Sequence, residues 1–304
     1  MNPYGPDPII IYGFNGINNR VPAERIRTMP GESGLVDLAA AVNVDLDDSG
    51  KPSLRPGFAL FQPITGAHDG FAAYGACVYV KGGILYRFVP ETKVSTPLIG
   101  VGSDNRMVYC AAAGRIFFSN STVIGEVRDG IAALFGITSV PFKAQLPAGQ
   151  AIGHHKARLY SAVGNVLWVS DVKPLSRVDL RHGFKQFPDP IRVIAPGPEG
   201  VYVGTDKAIF YGQGGNPLKM PMVKVASCGA KNIPVQYWDA DTVKGLQITG
   251  SFPVFVTDDG ACMGLPQGQI YNITDERYVM PAGTTGASMV RTINGQTHYI
   301  TAFR

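Results

Sequence analysis

An apolar, aromatic, apolar triplet recurs along this chain, followed four to five residues later by a turn signal and then by a second apolar and aromatic run. The five copies are Val78-Tyr79-Val80 with Ile84-Leu85-Tyr86, Val108-Tyr109-Cys110 with Ile116-Phe117-Phe118, Leu159-Tyr160-Ser161 with Val166-Leu167-Trp168, Val201-Tyr202-Val203 with Ile209-Phe210-Tyr211, and Val254-Phe255-Val256 with Cys262-Met263. Each reads as a β-hairpin. A sixth hairpin follows, where Met289–Ile293 meets Gln296–Ile300 across Asn294-Gly295, a dipeptide that accepts positive φ at both turn positions. Aligning the central residues 79, 109, 160, 202, 255 and 290 gives spacings of 30, 51, 42, 53 and 35. Their mean, about 42, falls in the roughly 40 to 50 residues of a propeller blade. The expected fold is therefore all-β: a β-propeller of about six, five to seven, four-stranded blades, which buries both faces of each small sheet against its neighbours. Each hairpin supplies two strands, and stretches such as Ile191–Ile194 and Gly245–Ile248 are expected to supply others.

Composition supports this reading. Gly and Pro together make up 60 of 304 residues, and Asp outnumbers Glu 17 to 6, so turns and caps are favoured over helix interiors. The 28 Phe and Tyr residues supply enough apolar surface to exclude disorder. Cys77, Cys110, Cys228 and Cys262 show no paired spacing and read as reduced, buried thiols. The N-terminal residues carry neither a basic region nor an apolar one, and nowhere do 18 apolar residues run together, so a soluble chain with no cleaved signal peptide and no membrane partner is expected.

The net charge of +4 is too small to mark a dedicated nucleic-acid binder. The segment from Lys143 to Arg192, however, holds eight Lys or Arg against three Asp. It is either a solvated loop face or a surface turned to phosphates or to an acidic protein. Lys156, Arg158, Lys173, Arg177, Arg181 and Lys185 are the candidates for the second role.

The first 60 residues lack the repeat. Residues 1–41 read as an N-terminal arm with a closing strand and residues 42–304 as the propeller domain. Leu35–Ala41 reads as a short helix and Asp47-Asp48-Ser49-Gly50 as a hairpin turn. Because the last hairpin provides only two strands, Ile9–Tyr12 or Val42–Val44 is expected to complete the final blade. Pro3, Tyr4, Ile10, Tyr12 and Phe14 are the arm residues expected to dock on a neighbouring subunit.

The order GFNGINN (13–19), NVDLDDSG (43–50) and LRPG (54–57), ahead of weak β repeats, resembles the β-propeller virion proteins of tailed bacteriophages, which form a tail nozzle or a ring at the head-to-tail junction. The resemblance covers about 45 residues near the start. It implies a structural ring component of a virion tail or neck, made in the host cytoplasm. The implied partners are further copies of itself in a cyclic homo-oligomer, a portal or adaptor, and other tail proteins, with at most weak, sequence-independent contact to genomic DNA.

No constellation reads as catalytic, so no enzyme and no cofactor is expected. Asp45–Gly50 echoes a calcium loop, but Pro56 stands where the bidentate acid belongs. Asp171, Asp206, Asp258 and Asp259 fall at turns, which explains them without the carboxylate pair of a glycosidase. His154 and His155 point to opposite faces of a strand and are not expected to share a metal. The glycine-rich Tyr211–Pro217 lacks the Lys-Ser and the helix of a phosphate loop. The alternative from a different class is a propeller-fold glycan-binding module or glycoside hydrolase, which must gather carboxylates at one end of its channel.

Overall fold

Each hairpin read from the repeat is an antiparallel strand pair in the computed structural model, which describes residues 13–26, 35–42, 44–46, 50–54, 61–136, 139–243, 246–274, 277–293 and 296–303. Strand accounts for 54% of the described residues and helix for 4%, so their regular structure is almost wholly β. The chain divides into two compact units: residues up to Phe61 together with Thr274–Met280, and Gln62–Ile273 together with Pro281–Arg304.

Among the described residues the second unit holds five four-stranded antiparallel sheets, each taking its strands in chain order. Their first strands are His68–Ala73, Val108–Ala112, Ala151–His155, Ile191–Pro196 and Gln236–Asp239. Val108–Ala112 and Ile191–Pro196 both lie against Ala151–His155, so the second, third and fourth sheets meet through their first strands. Their last strands, such as Val94–Gly100 and Phe184–Gln186, are largely exposed. This is the radial arrangement of a β-propeller. A sixth sheet, Gly286–Ile293 with Gln296–Phe303, has two strands among the described residues, and its first strand packs beside Gln236–Asp239.

The structure also accounts for the uneven repeat. In the first, third, fourth and fifth sheets the sequence hairpin joins the second and third strands, whereas in the second sheet Val108–Ala112 and Arg115–Ser119 are the first and second. Second-strand aromatics at 79, 117, 160, 202, 255 and 299 are spaced by 38, 43, 42, 53 and 44, a more regular series. Tyr79, Phe117, Tyr160, Tyr202 and Phe255 are all buried. The recurrent ring is thus the part of each blade that fills the space beside its neighbour, as when Tyr202 meets Phe255 with ring centroids 5.8 Å apart.

Three expectations are corrected. Leu35–Leu38 is a strand, pairing in parallel with Gly13–Ile17, because Val36 buries there and the extended backbone satisfies its hydrogen bonds across the pair. Val44 pairs with Leu54 in a two-stranded hairpin of the first unit, so its backbone is already engaged and it adds no strand to a blade. Leu246 and Ile248 are not strand residues: they pack over Trp238 and Phe252, and Gln236–Asp239 takes the first-strand place, where Trp238 provides the side chain to bury. The other proposed closing segment, Ile9–Tyr12, lies outside the described residues.

Ring closure within the second unit uses a side chain. Arg106, just ahead of the second sheet, donates to the Asn232 carbonyl at 2.7 Å and to the Gly286 carbonyl at 2.9 Å, residues 126 and 180 positions away. Asn232 forms a parallel bridge with Thr285 beside it. Burial lowers the Arg106 value, partly offset by Asp69, yet a guanidinium keeps its charge in proteins.

Candidate assembly and binding sites

In the first unit, the N-terminal motif closes on itself and on the returning chain. The Phe14 N–H donates to the Gly50 carbonyl at 2.8 Å. Gly50 has φ +79°, and a Cβ there would stand 2.5 Å from the Phe14 carbonyl oxygen and 2.8 Å from its nitrogen. The GFNGINN motif and Gly50 therefore meet backbone to backbone, which only glycine permits. Asn18 donates through its side-chain amide to Asp37 at 2.9 Å, and its backbone N–H donates to Leu38. The Asn19 amide donates to the Val279 carbonyl at 2.9 Å while its own oxygen accepts the Val279 N–H at 2.7 Å. Arg277 reaches the Asn15 carbonyl at 3.3 Å and lies 3.8 Å from Asp37. Within this unit the Asn18 side chain holds Asp37 and the Asn19 side chain holds the Val279 backbone. Of the arm residues only Phe14 is described; Pro3, Tyr4, Ile10 and Tyr12 lie outside.

The basic segment is organised by an excursion from the third sheet. Between that sheet's third and fourth strands, Arg177–Asp179 pairs with Lys143–Gln145 as a two-stranded ribbon. Alternation sends Ala144 and Val178 into the core and turns Lys143, Arg177 and Asp179 outward. Lys143 lies 3.0 Å from both Asp171 and Asp179, Arg177 bonds Asp171 at 2.7 Å, and Arg181 bonds Asp179 at 3.2 Å while lying 4.7 Å over the Phe142 ring. Burial alone would lower the Lys143 ammonium, but the bonds to Asp171 and Asp179 outweigh it and its value is raised. Arg181, and then Lys143, hold the Asp179 carboxyl well below its usual range.

The remaining candidates are spread out. Lys156, in a turn, reaches the Glu199 carbonyl at 3.5 Å, and Arg158 donates to the Ser170 carbonyl at 2.6 Å. Lys173 lines a cleft and Lys185 sits on an outer strand. Among the described residues none of these four has a carboxylate partner. Sequence reasoning saw the excess of charge but not this pairing, because the partners are brought together by the ribbon's register.

Of the turn aspartates, Asp206 is tied to Arg192 at 2.5 and 2.9 Å, Asp258 to Lys231 at 2.5 Å, and Asp171 as above. Thr205 and Thr257 close the corresponding hairpins of neighbouring sheets with their hydroxyls, so turn chemistry accounts for these positions. His154 lies parallel to Phe117, at 6.5 Å between centroids, and His155 is 5% exposed. Burial lowers both imidazoles, helped at His155 by Lys156. The four cysteines are unbridged, Cys262 buried and the other three half-buried, and burial pushes the Cys110 thiol up to about 12. Asp47, Asp48 and Ser49 of the calcium-like loop lie outside the described residues.

Sequence reasoning missed one polar cluster. The His68 ring faces Asp69 at 2.8 Å through Nδ1 and Asp104 at 2.9 Å through Nε2. Asp69 also accepts the Met107 N–H at 2.7 Å and Asp104 the Gly83 N–H at 3.0 Å. The cluster pins the first sheet to the start of the second. No spacing signal marks it, since its members are 36 residues apart.

No family model matches the sequence, and no curated protein matches it. Among solved structures, the chain is similar to one chain of the Saccharomyces cerevisiae complex of Dbp5, Nup159 and Gle1, with TM-score 0.50 at 8% identity over 80% of this chain and 74% of that one. It is also similar to Hsv2 of Kluyveromyces lactis, with TM-score 0.45 at 11% identity over 79% of each chain. A further match is the computationally designed protein Ika8, with TM-score 0.44 at 9% identity over 78% of this chain and 71% of that one. Nup159 and Hsv2 are β-propellers, and the first likeness supports that fold and nothing finer. Among the described residues, no helix is long and apolar enough to cross a membrane.

Proposed function

We propose that this β-propeller is a structural ring component of a tailed-bacteriophage virion, in the tail or at the head-to-tail junction, acting by assembly around the DNA exit channel rather than by catalysis. The observation that carries the reading is the N-terminal clasp. The GFNGINN stretch that resembles phage virion propellers meets Gly50 through Phe14, and Asn18 and Asn19 tie it to Asp37, Leu38 and Val279. A motif spent this way serves architecture. The basic segment adds support, because Lys143, Arg177 and Arg181 are offset by Asp171 and Asp179. A surface bearing it carries modest charge, and modest charge suits a passage through which DNA must slide, since each neutralised phosphate adds about one unit to the salt dependence of binding. The glycoside hydrolase reading gains no such support, with Asp171, Asp206 and Asp258 each neutralised in a different turn.

The partners on this reading are further copies of the chain, a portal or adaptor, and other tail proteins, and the location is the virion. Negative-stain images of the purified protein test it. Cyclic particles with a lumen are the expected result; uniformly monomeric particles at concentrations well above assembly levels would overturn the reading.

A further inference from the structure

A cleft of about 580 Å³ opens where the second and third sheets meet, a volume in the range of small-molecule sites. Most of its wall is apolar, with Phe117, Phe135 and Leu175 among the lining side chains. Four lining residues are titratable: Arg115, Glu126, His154 and Lys173. Arg115 and Glu126 lie diagonally across adjacent strands and are joined at 2.9 Å, with side chains 33% and 25% exposed. That bond uses one of the five N–H donors of the guanidinium. Burial lowers His154 and so favours its neutral form, and the two cations Arg115 and Lys173 outnumber the one carboxylate, Glu126. The ring of His154 lies against Phe117, and Phe135 meets Phe117 edge-on at 6.4 Å, so the apolar wall is held in place from two strands.

We propose that this cleft binds a small organic carboxylate with an apolar body, the carboxylate lying on Arg115 and Lys173 and the body against the Phe135 and Leu175 wall. The chemistry follows from complementarity. An arginine fork receives a carboxylate in two parallel bonds, the second cation adds to the attraction, and the apolar wall rewards a hydrocarbon body. A cationic ligand of the same shape meets an unfavourable net charge. Glu126 sets the strength, because it competes with the ligand for Arg115. The site goes beyond the assembly role and does not depend on it.

The probe is 1-naphthoate, with 1-naphthylmethanol and 1-naphthylmethylammonium as matched neutral and cationic controls. Binding to the full chain is read by calorimetry and by the shift of the His154 imidazole resonance. The wild type is expected to bind naphthoate at least about tenfold more tightly than either control, about 1.4 kcal/mol. Arg115→Met is expected to abolish the preference for the carboxylate, and Glu126→Gln to strengthen naphthoate binding several-fold. Thermal melts of both variants show whether the fold is kept; if Arg115→Met is unfolded, Lys173→Met, whose side chain makes no ion pair among the described residues, takes its place and is expected to weaken binding. Equal binding of all three probes, no binding at millimolar naphthoate, or a folded Glu126→Gln variant that binds no more tightly than wild type would each overturn the proposal.

Discussion

Gly50 is a position in the first unit where the backbone leaves no room for a side chain. Its positive φ disfavours any L side chain, and the nearest obstacles to a Cβ are the Phe14 backbone oxygen and nitrogen, which have no rotamer in which to withdraw. Gly50→Ala is therefore expected to cost about 2–4 kcal/mol or to part Phe14 from its partner. Limited proteolysis between residues 13 and 60 reads this directly, and a variant as resistant as wild type would contradict it. His68 makes a different prediction. Burial would lower its pKa, but hydrogen bonds to Asp104 and Asp69 prevail, so the folded value lies above the ordinary 6.5. Its contribution is then full below about pH 6.5 and fades as the pH rises through the folded value. Thermal melts between about pH 5.5 and 8.5 should show wild type losing stability with rising pH relative to His68→Gln. Parallel pH profiles for the two proteins would rule out this role.

At the scale of elements, the sheets are alike in strand order but differ in how they are closed to one another. Tyr202 joins the fourth sheet to the fifth by donating its hydroxyl to the carbonyls of Leu265 and Gln269, and Asn120 joins the second to the first by donating to the Val101 carbonyl at 3.0 Å. The seam that returns to the start of the ring depends on Arg106, whose two bonds reach the segment before the fifth sheet and the start of the sixth. Arg106→Met keeps the length and removes both donors, leaving two carbonyls without their partner. A loss of about 2–4 kcal/mol in denaturant unfolding is expected, and Arg106→Lys should recover only part of it, because an ammonium lacks the planar fork that spans both carbonyls. If both variants unfold at the wild-type midpoint, the seam is held by the hairpin alone.

On the scale of the whole molecule, the proposed ring sets two further expectations. Deleting residues 1–8 should weaken assembly while leaving the strand-rich circular dichroism spectrum largely intact; unchanged assembly would remove any intersubunit role from the arm. DNA binding should be weak, sensitive to salt and indifferent to sequence, because ion pairing leaves only Lys156, Arg158, Lys173 and Lys185 of the six basic candidates without a carboxylate partner among the described residues. Fluorescence anisotropy with two unrelated duplexes across a salt series measures this. Tight binding that persists at high salt, or a preference for one duplex, would mark a nucleic-acid reader in place of a structural ring.

The repeated Val-Tyr-Val and Ile-Phe-Tyr runs determined the all-β class and the hairpins, because strand alternation and turn residues are local properties that adjacent side chains dictate. The phase of the second sheet was not local. Val108–Ala112 has the same pattern as a second strand and becomes a first strand because it packs against Ala151–His155, some forty residues on. Leu35–Leu38 likewise has a pattern open to helix, and pairing with Gly13–Ile17 made it a strand. The excess charge from Lys143 to Arg192 was legible in the sequence as a number. Which cations it leaves over was decided by the register of the ribbon, which sets Lys143 opposite Asp179 and Arg177 within 2.7 Å of Asp171. The cleft and the Arg106 seam join residues from separate sheets. Only folding brings such groups within the few ångströms at which charge and hydrogen bonding act.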